Sequence, residues 1–406
     1  MRLRTAVIWN GVSQFGSTGI TLLSTVILSR LLTPDDFAII GIVTIFIAIS
    51  QMMVDSEMGG ALLRKPEVTV TDYSTLFYYN LGVSIVLYGV MYAIAPLIAT
   101  FYSQPELTGV VRLLGVTILI QAFRVVQRIM IFRELKFRLY AVFIVVSGLV
   151  SLGTAVCLAL KGYGYWSLVW QQIVQAVVTL LLMGAYNRFI PRLTFSKASF
   201  RYQFSFGINL LGSYGISTIA NNISTNIIAK IASMNFTGYY TQVSRLTNSC
   251  QSALGPIMDQ SVFPILSKYD SVEKVKVAYY RLLKLTTIVL VMISAVFVIF
   301  ARPIISFVLG DQWLGGTYIL QVLSIGIIPV TLQVLCRTIF KTLGSTRKIL
   351  YLETLKSSII IWMLLLAAFI NADIVVWALV VAQAISCIIW LIFTERELRQ
   401  GEMKRI

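Results

Sequence analysis

The side chains best suited to bind a ligand are arginines that share a helical face with amide and hydroxyl groups inside apolar stretches. Gln121 follows Thr117 by four residues, Arg124 comes three residues after Gln121, and Arg128 comes four residues after that. Residues at such steps lie on one face of a helix. A guanidinium is permanently charged, and its fork of donors matches phosphate oxygens. The pattern predicts a site for an anionic molecule that includes Gln121, Arg124 and Arg128.

A second apolar stretch, 238–263, repeats the pattern with Gln242 and Arg245 on one face. A full charge inside an apolar helix is costly, and it marks a functional site by default. We therefore expect Arg124 and Arg245 to line a cavity, with Gln242 as a hydrogen-bonding neighbour. For Arg128, a position at the boundary of the apolar stretch is an alternative explanation.

Three carboxylates, Asp55, Glu57 and Asp259, lie near the ends of apolar stretches. Carboxylates at such places take up protons or Na⁺, or they hold a gate through ion pairs. The candidate partners for such pairs are Arg124 and Arg128. Neutralisation of the neighbouring basic loops explains the same carboxylates equally well, so the sequence leaves both interpretations open.

Several kinds of catalysis are excluded by the residues that the sequence lacks. It contains no His, so acid–base chemistry, catalytic triads and metal sites that depend on imidazole are absent. The four Cys are far apart and form no CxxC pair, and no GxxxxGK[ST] motif occurs. We expect no enzymatic activity, no metal and no cofactor, with H⁺ or Na⁺ as a coupling ion.

The composition identifies the surroundings of these groups. Hydrophobic residues make up 57% of the 406 positions and charged residues only 12%, with a mean hydropathy of +0.83. So few charges do not cover the surface of a soluble domain. Apolar runs of about 20 residues span a bilayer as helices, and these runs are too long for barrel strands. The sequence predicts an all-α, polytopic membrane protein with twelve spans, at 6–30, 37–58, 77–100, 110–131, 138–160, 164–186, 204–232, 238–263, 282–301, 316–341, 351–371 and 373–394.

The basic residues predict the orientation. If the start of the chain is cytoplasmic, 25 of the 33 Lys and Arg lie in the cytoplasmic segments or at their borders. Cytoplasmic loops of membrane proteins carry such an excess. Both termini are therefore expected in the cytoplasm, and the net charge of +16 requires no nucleic-acid partner.

The two halves of the chain resemble each other. Shifting the sequence by 200 residues gives ten identities in 51 ungapped positions from residue 8, and it sets Arg30 opposite Lys230. The offset places the first span on the seventh, as a duplication of six spans requires. Six is an even number, so both halves enter the membrane in the same sense and form two parallel six-helix bundles. The predicted domains are a first bundle at 1–186, a linker at 187–203, a second bundle at 204–394 and a tail at 395–406.

Polar stripes mark the first and seventh spans. Interhelical hydrogen bonding explains such stripes, but their occurrence in two corresponding helices favours a wet cavity between the bundles. Facing stripes and buried Arg suit an anionic, hydrophilic cargo. The stripes consist of Asn10, Ser13, Gln14, Ser17, Thr18, Thr21, Ser24 and Thr25 in the first span and of Asn209, Ser213, Ser217, Asn221 and Ser224 in the seventh.

Short motifs along nearly the whole chain resemble the bacterial polysaccharide flippases. These are the O-antigen or Wzx-type transporters of the multidrug/oligosaccharidyl-lipid/polysaccharide export superfamily. The motifs include SRLLTPDDFAIIGIV at 29–43, GGALLRKPEVTVTDYSTLFYYNL at 59–81, APLIATFYSQPELTGVVRLLGV at 95–116, GYGYWSLVWQQI at 162–173, FPILSKYDSVEKVKVAYYRLLKL at 263–285 and ARPIISFVLGDQW at 301–313.

The resemblance implies a fold like that of the MATE transporters, in the cell inner membrane, with alternating access. It implies export of undecaprenyl-diphosphate-linked sugar repeat units to the periplasmic leaflet, for lipopolysaccharide, capsule or exopolysaccharide biosynthesis. It also implies contacts with membrane lipids and with polysaccharide polymerase machinery. Related flippases bind the diphosphate through cavity arginines, and Arg30 and Arg245 lie in the corresponding first and eighth helices. Lys230 is the counterpart of Arg30 in the second half.

Two other functions remain as alternatives. An ion-coupled exporter of small molecules has the same fold. Such an exporter is expected to have an acidic cavity, whereas the cavity predicted here is lined by Arg. A membrane-bound polysaccharide polymerase or ligase is expected to carry a large outer loop with catalytic polar residues. All predicted outer loops are short, so this alternative is the weaker one.

Overall fold

The computed structural model describes residues 2–55, 58–257, 266, 272–343 and 345–403. Within these ranges all regular secondary structure is helical, as predicted. A 3₁₀ turn, Asp311–Gly316, precedes the twelfth helix. The α-helices, numbered α1 to α14, are Arg2–Leu31, Pro34–Asp55, Met58–Arg64, Val70–Tyr102, Glu106–Arg133, Phe137–Leu160, Tyr165–Asn187, Lys197–Ile231, Met234–Ile257, Val272–Ile299, Ala301–Val308, Thr317–Thr342, Thr346–Ala368 and Ala372–Met403.

Nine segments of the described chain are long and apolar enough to cross a membrane. The remaining three predicted spans correspond to α1, α8 and α9, which have 30, 35 and 24 residues. A span needs about 20 residues, so their length suffices, and two of them carry the polar stripes. The nine segments are Pro34–Arg64, Val70–Tyr102, Leu107–Arg133, Phe137–Leu160, Tyr165–Asn187, Glu273–Ile299, Asp311–Thr342, Lys348–Ala368 and Ala372–Arg399.

The start of α4 shows how the sequence fixes a helix end close to the predicted site. The side chain of Thr69 accepts from the backbone N–H of Asp72, and Asp72 accepts from the backbone N–H of Thr69. This reciprocal capping box satisfies two backbone donors that have no partner within the helix. Lys65 adds an ion pair at 2.7 Å to the same carboxylate, which joins the end of α3 to the start of α4.

An apolar cluster holds α5 against α3 and α4 in the first compact unit. Val125, Val126 and Ile129 on α5 pack with Leu62 on α3 and Leu76 on α4. Arg124 and Arg128 each adjoin these buried residues in sequence but lie on another side of α5. The packing therefore fixes the rotation of α5 and aims the two arginines away from the cluster.

The two compact units, Met1–Asn222 and Ile223–Ile406, follow the same packing plan. In the first unit, α5 packs against α2, α4 and α7. In the second unit, α12 occupies the same place in the helix order and packs against α9, α10 and α14. This correspondence matches the internal repeat. The predicted domain boundaries stay predictions; α8 begins at Lys197, inside the predicted linker, and α14 extends to Met403, inside the predicted tail.

Candidate functional site

A polar seam joins the end of α2 to the second half of α5. Nη2 of Arg128 lies 2.6 Å from Oδ1 of Asp55, and Nε2 of Gln121 lies 3.5 Å from Oδ2 of the same carboxylate. One turn along the seam, Nε2 of Gln51 lies 3.5 Å from Oγ1 of Thr117. Gln51 and Asp55 are four residues apart on α2, so they face the predicted stripe of α5 in register.

Arg124 completes this α2–α5 seam. Its Nη2 donates to Oε1 of Gln121, while the amide nitrogen of Gln121 points to Asp55. The chain of contacts therefore runs from Arg124 through Gln121 to Asp55 and on to Arg128. Among the described residues, the seam holds two guanidinium groups and one carboxylate, so these groups together carry one more positive than negative charge.

The seam is partly open to its surroundings. The side chains of Arg128 and Asp55 keep 32% and 28% of their surface exposed, and Arg124 is half-buried. Gln121 and Thr117 are buried. A molecule that reaches the seam therefore meets the charged groups first, with the amide behind them.

The structure brings Asp55 together with Arg128, one of the two partners that the sequence suggests, and reaches Arg124 only through Gln121. The other two predicted carboxylates, Glu57 and Asp259, lie outside the described residues. No group of three His, Cys, Asp or Glu side chains that suits a metal ion occurs in the part of the chain that the structure describes. The coupling role of Asp55 stays a prediction.

Arg30 does not lie beside this seam. It is exposed in the last turn of α1, and α2 begins three residues after α1 ends. Asp55 is the last residue of α2, 21 positions after Pro34, which corresponds to roughly 30 Å at 1.5 Å per residue. Arg30 therefore lies near one end of α2 and the seam near the other, so a single diphosphate does not contact both at once.

The second unit places its predicted residues in a similar way. Lys230 is exposed in the last turn of α8, as Arg30 is in α1. Two and a half turns earlier on the same helix, still within the first unit, Asn221 is exposed and its amide donates to Oγ of Ser217 at 3.4 Å. On α9, Gln242 is buried and Arg245 is half-buried, one turn apart. The structure thus keeps Gln242 and Arg245 adjacent on α9 and sets Lys230 at a helix end.

Two polar clusters were not predicted from the sequence. In the second unit, Nη1 of Arg337 on α12 lies 3.7 Å from Oε1 of Glu353, and Nζ of Lys356 lies 3.0 Å from Oε2. Like the α2–α5 seam, this cluster has two cations and one carboxylate. The spacing of Glu353 and Lys356 on α13 gave a local signal, but only the packing of α12 against α13 adds Arg337. The other cluster surrounds Asp72 and Ser199 in the first unit.

The family of the chain follows from comparison with known sequences. A family model described as "Polysaccharide biosynthesis protein" matches residues 27–317. This chain belongs to that family. The match covers more than half of the chain, and it includes α2, α5, α8 and α9, which carry most of the predicted site residues. The resemblance that the sequence motifs indicate is thereby confirmed.

Curated proteins that are similar to this chain in sequence are named for polysaccharide biosynthesis and transport. The chain is 23% identical over 328 residues to the lipopolysaccharide biosynthesis protein WzxC of Escherichia coli K12, covering 78% of this chain. It is 24% identical over 319 residues to the succinoglycan biosynthesis transport protein ExoT of Rhizobium meliloti, again over 78% of this chain. The matches span 65% and 64% of the relatives' own lengths, just under two thirds.

Solved structures confirm the fold class. The lipid II flippase MurJ, in an inward closed conformation, matches with a TM-score of 0.75 over 98% of this chain and 90% of that one, at 16% identity. An inward-facing MATE family transporter of the MOP superfamily matches with a TM-score of 0.72 over 95% and 96%, at 15% identity. The family member described here is therefore a multi-pass membrane protein with the fold of this superfamily.

Proposed function

We propose that this chain is a flippase for lipid-linked oligosaccharides and moves undecaprenyl-diphosphate-linked repeat units from the cytoplasmic to the periplasmic leaflet. The observation that carries the proposal is the α2–α5 seam, in which Arg128 pairs with Asp55 and Arg124 is linked to the same carboxylate through Gln121. A net positive, half-exposed seam inside an apolar bundle suits an anionic head group. The names of the relatives agree with cargo of this kind.

The chemistry of the seam fits the three parts of such a substrate. Guanidinium groups bind phosphate oxygens with charge-assisted hydrogen bonds, which are roughly twice as strong as neutral ones. The amide and hydroxyl groups of Gln51, Gln121 and Thr117 offer donors and acceptors to sugar hydroxyls. The long apolar helices on either side accommodate the polyprenyl chain. The seam would act by binding and release, and no covalent step is required.

Asp55 gives the seam a means of release. In the absence of substrate its carboxylate neutralises Arg128, and a diphosphate that enters competes with it for the guanidinium. When the substrate leaves, Asp55 returns to Arg128. Uptake of H⁺ or Na⁺ by Asp55 would weaken its hold on Arg128, which links the seam to an ion gradient.

Arg30 and Lys230 serve the opposite end of the path in this proposal. Both lie in the last turn of a long helix, where a cation is also favoured by the helix dipole. The distance of roughly 30 Å along α2 is about the thickness of the hydrocarbon core. A diphosphate that leaves the seam would therefore meet Arg30 at the far side of the membrane. Arg245 and Gln242 on α9 extend the same chemistry to the second unit.

The orientation and the surroundings belong to the same proposal. The excess of Lys and Arg in alternate loops supports cytoplasmic termini and an inner-membrane location. The flipped repeat unit would pass to polysaccharide polymerase machinery at the periplasmic face. The chain itself would carry out no catalysis.

A small-molecule exporter is the second candidate, because the MATE transporter and MurJ match the fold almost equally well. The charge of the site distinguishes the two functions. A cation exporter needs uncompensated carboxylates, whereas the described residues of the α2–α5 seam include two guanidinium groups and one carboxylate. We therefore favour the flippase.

A deletion strain tests the proposal. We expect the deletion strain to accumulate undecaprenyl-diphosphate oligosaccharide at the cytoplasmic face, as measured by lipid extraction and mass spectrometry. Reintroduction of the intact gene should remove the accumulated lipid. Arg124→Ala should fail to clear the lipid at normal protein level. Arg112→Ala is the matched control. Arg112 lies on the same helix, α5, but near the opposite end from Arg124, where it contacts the ring of Tyr92. Absence of the lipid in the deletion strain, with loss of drug resistance instead, would contradict the proposal.

A further inference from the structure

The segment that follows α7, residues 188–201, is held to the first unit along one side only. The backbone N–H of Arg192 donates to Oγ of Ser74 at 3.0 Å, and that of Ser196 donates to Oγ1 of Thr75 at 3.1 Å. Ser74 and Thr75 are fully buried in the second turn of α4. These bonds fix the position of residues 188–201, which comprise the irregular connection after α7 and the first turn of α8 and which we call the linker segment.

Further contacts secure both ends of the linker segment. Oγ of Ser199 donates to Oδ1 of Asp72 at 2.6 Å, and Nε2 of Gln203 donates to the backbone carbonyl of Asp72 at 3.2 Å. Phe189 packs edge-on against Tyr73, with ring centroids 6.0 Å apart. The inward side of the segment is therefore satisfied by the protein itself.

The outward side carries apolar side chains that the protein leaves uncovered. Ile190 is 82% exposed, Leu193 is 94% exposed and Phe195 is 51% exposed. Because the backbone bonds on either side hold the segment in place, these side chains do not turn inward. Three large apolar groups within six residues, on one fixed side, indicate a surface that is covered by something else.

The linker segment is also strongly basic. No Asp or Glu occurs in the chain between Glu134 and Asp259, and Asp72, whose carboxylate contacts Ser199, already pairs with Lys65. Within the described residues no ion pair involves the four basic side chains of the segment, and all four are exposed. They are Arg188, Arg192, Lys197 and Arg201.

We propose that the linker segment binds anionic phospholipids, with Ile190, Leu193 and Phe195 inserted among the acyl chains and the four cations on the head-group phosphates. The segment connects the end of one long helix, α7, to the start of another, α8, so it lies at the level of the head groups. Basic residues beside a bilayer attract anionic lipids, and apolar side chains among them insert at its interface. A soluble anion would make no use of the three apolar groups.

This binding would anchor the start of α8 to one leaflet. The linker segment would then stay fixed to the first unit and the lipid while α8 continues into the second unit. The proposal concerns a lipid of the bilayer itself and does not depend on which substrate is transported.

Photo-cross-linking from position 193 tests the proposal. A photoreactive amino acid replaces Leu193 in the full chain, in nanodiscs of phosphatidylcholine with and without phosphatidylglycerol, and mass spectrometry identifies the adducts. A probe at Phe369 is the matched control, because that side chain is 89% exposed at a helix end without a basic cluster. We expect phosphatidylglycerol adducts to be enriched at position 193 over position 369, by roughly fivefold for each contributing cation.

Replacing all four cations of the linker segment by Gln should reduce the enrichment to the level of position 369, while the protein stays monodisperse with an unchanged Tm. The proposal is overturned by an equal adduct ratio at both positions, by competition from inorganic phosphate, or by cross-links to another protein instead of lipid in native membranes. Arg124→Ala separates this proposal from the flippase proposal. It should lose transport and keep the lipid adducts.

Discussion

Oδ1 of Asp55 lies 2.6 Å from Nη2 of Arg128, and the two residues are 73 positions apart in the chain. Each side chain keeps about a third of its surface exposed. Ion pairs with such exposure contribute about 0–1 kcal/mol to stability. The pair is therefore too weak to account for the packing of α2 against α5. The effect of the ion pair is electrostatic, because Asp55 competes with an anion for the guanidinium of Arg128.

Asp55→Asn is expected to trap the substrate. Without the carboxylate, Arg128 loses one competitor for the diphosphate, so binding becomes tighter and release becomes slower. We expect the variant to hold more lipid-linked oligosaccharide after purification and to clear it more slowly in cells, while Tm changes by less than the equivalent of about 1 kcal/mol. Native mass spectrometry and lipid extraction measure the two effects.

Exchange of the two groups, Asp55→Arg with Arg128→Asp, provides the control. It keeps the pair and the net charge of the α2–α5 seam, so it should release substrate more readily than Asp55→Asn. Equal substrate occupancy in the parent and in Asp55→Asn would show that the carboxylate does not compete for the guanidinium.

The helices of this chain were predictable because few backbone structures other than long apolar helices can span a lipid bilayer. A bilayer requires paired backbone groups and about 20 apolar residues per span. The sequence therefore predicts α5 to α7 closely. Predicted ends differ most where polar segments continue a helix, as at α4, which begins at Val70 rather than at residue 77. There the capping box of Thr69 and Asp72, rather than hydropathy, sets the end.

Only those features of the site that follow from helical periodicity were predictable from the sequence. Steps of three and four residues place Gln121, Arg124 and Arg128 on one face, and the structure confirms that face. Periodicity does not report position along the membrane normal, so it does not separate Arg30 from Arg128. Contacts between segments far apart in the chain, such as Ser199 with Asp72, leave no periodic signal at all.

Gln121→Glu is expected to reduce transport strongly. Gln121 now accepts from Arg124 and points its amide nitrogen to Asp55. A glutamate would still accept from Arg124, but it would cancel the excess positive charge of the seam and repel Asp55. We expect transport to fall by roughly tenfold or more, since a charge-assisted hydrogen bond is worth about 1.5–3 kcal/mol. Accumulated lipid-linked oligosaccharide in the complemented deletion strain measures the loss.

Gln121→Leu distinguishes charge from shape in that experiment. It removes the link between Arg124 and Asp55 but keeps the excess charge, so it should lose less transport than Gln121→Glu. A glutamate variant that transports as well as the parent would remove the seam from the substrate path.

Arg133→Leu is expected to destabilise the protein without affecting the anion site directly. The guanidinium of Arg133 donates to the backbone carbonyls of Leu62 at 2.6 Å, Lys65 at 2.7 Å and Pro66 at 3.0 Å. These carbonyls follow or end α3 and would lose charged donors. We expect a loss of about 1–3 kcal/mol, seen as a lower Tm in detergent. Arg133→Lys should recover part of it, and an unchanged Tm for Arg133→Leu would show that water replaces the donors.

Gly59→Ala is expected to disturb the packing that positions α5. A Cβ atom at Gly59 would lie 2.1 Å from Cδ1 and 2.9 Å from Cγ1 of Ile129, so Ile129 has to move within the apolar cluster. Overpacking of this kind costs about 1–3 kcal/mol. Gly89→Ala is the control, because a Cβ there meets nothing within 4 Å and Ala favours the helix. Combining Gly59→Ala with Ile129→Ala should cost less than the two single losses added together. Full additivity of the Tm changes would show that the two residues do not contact each other.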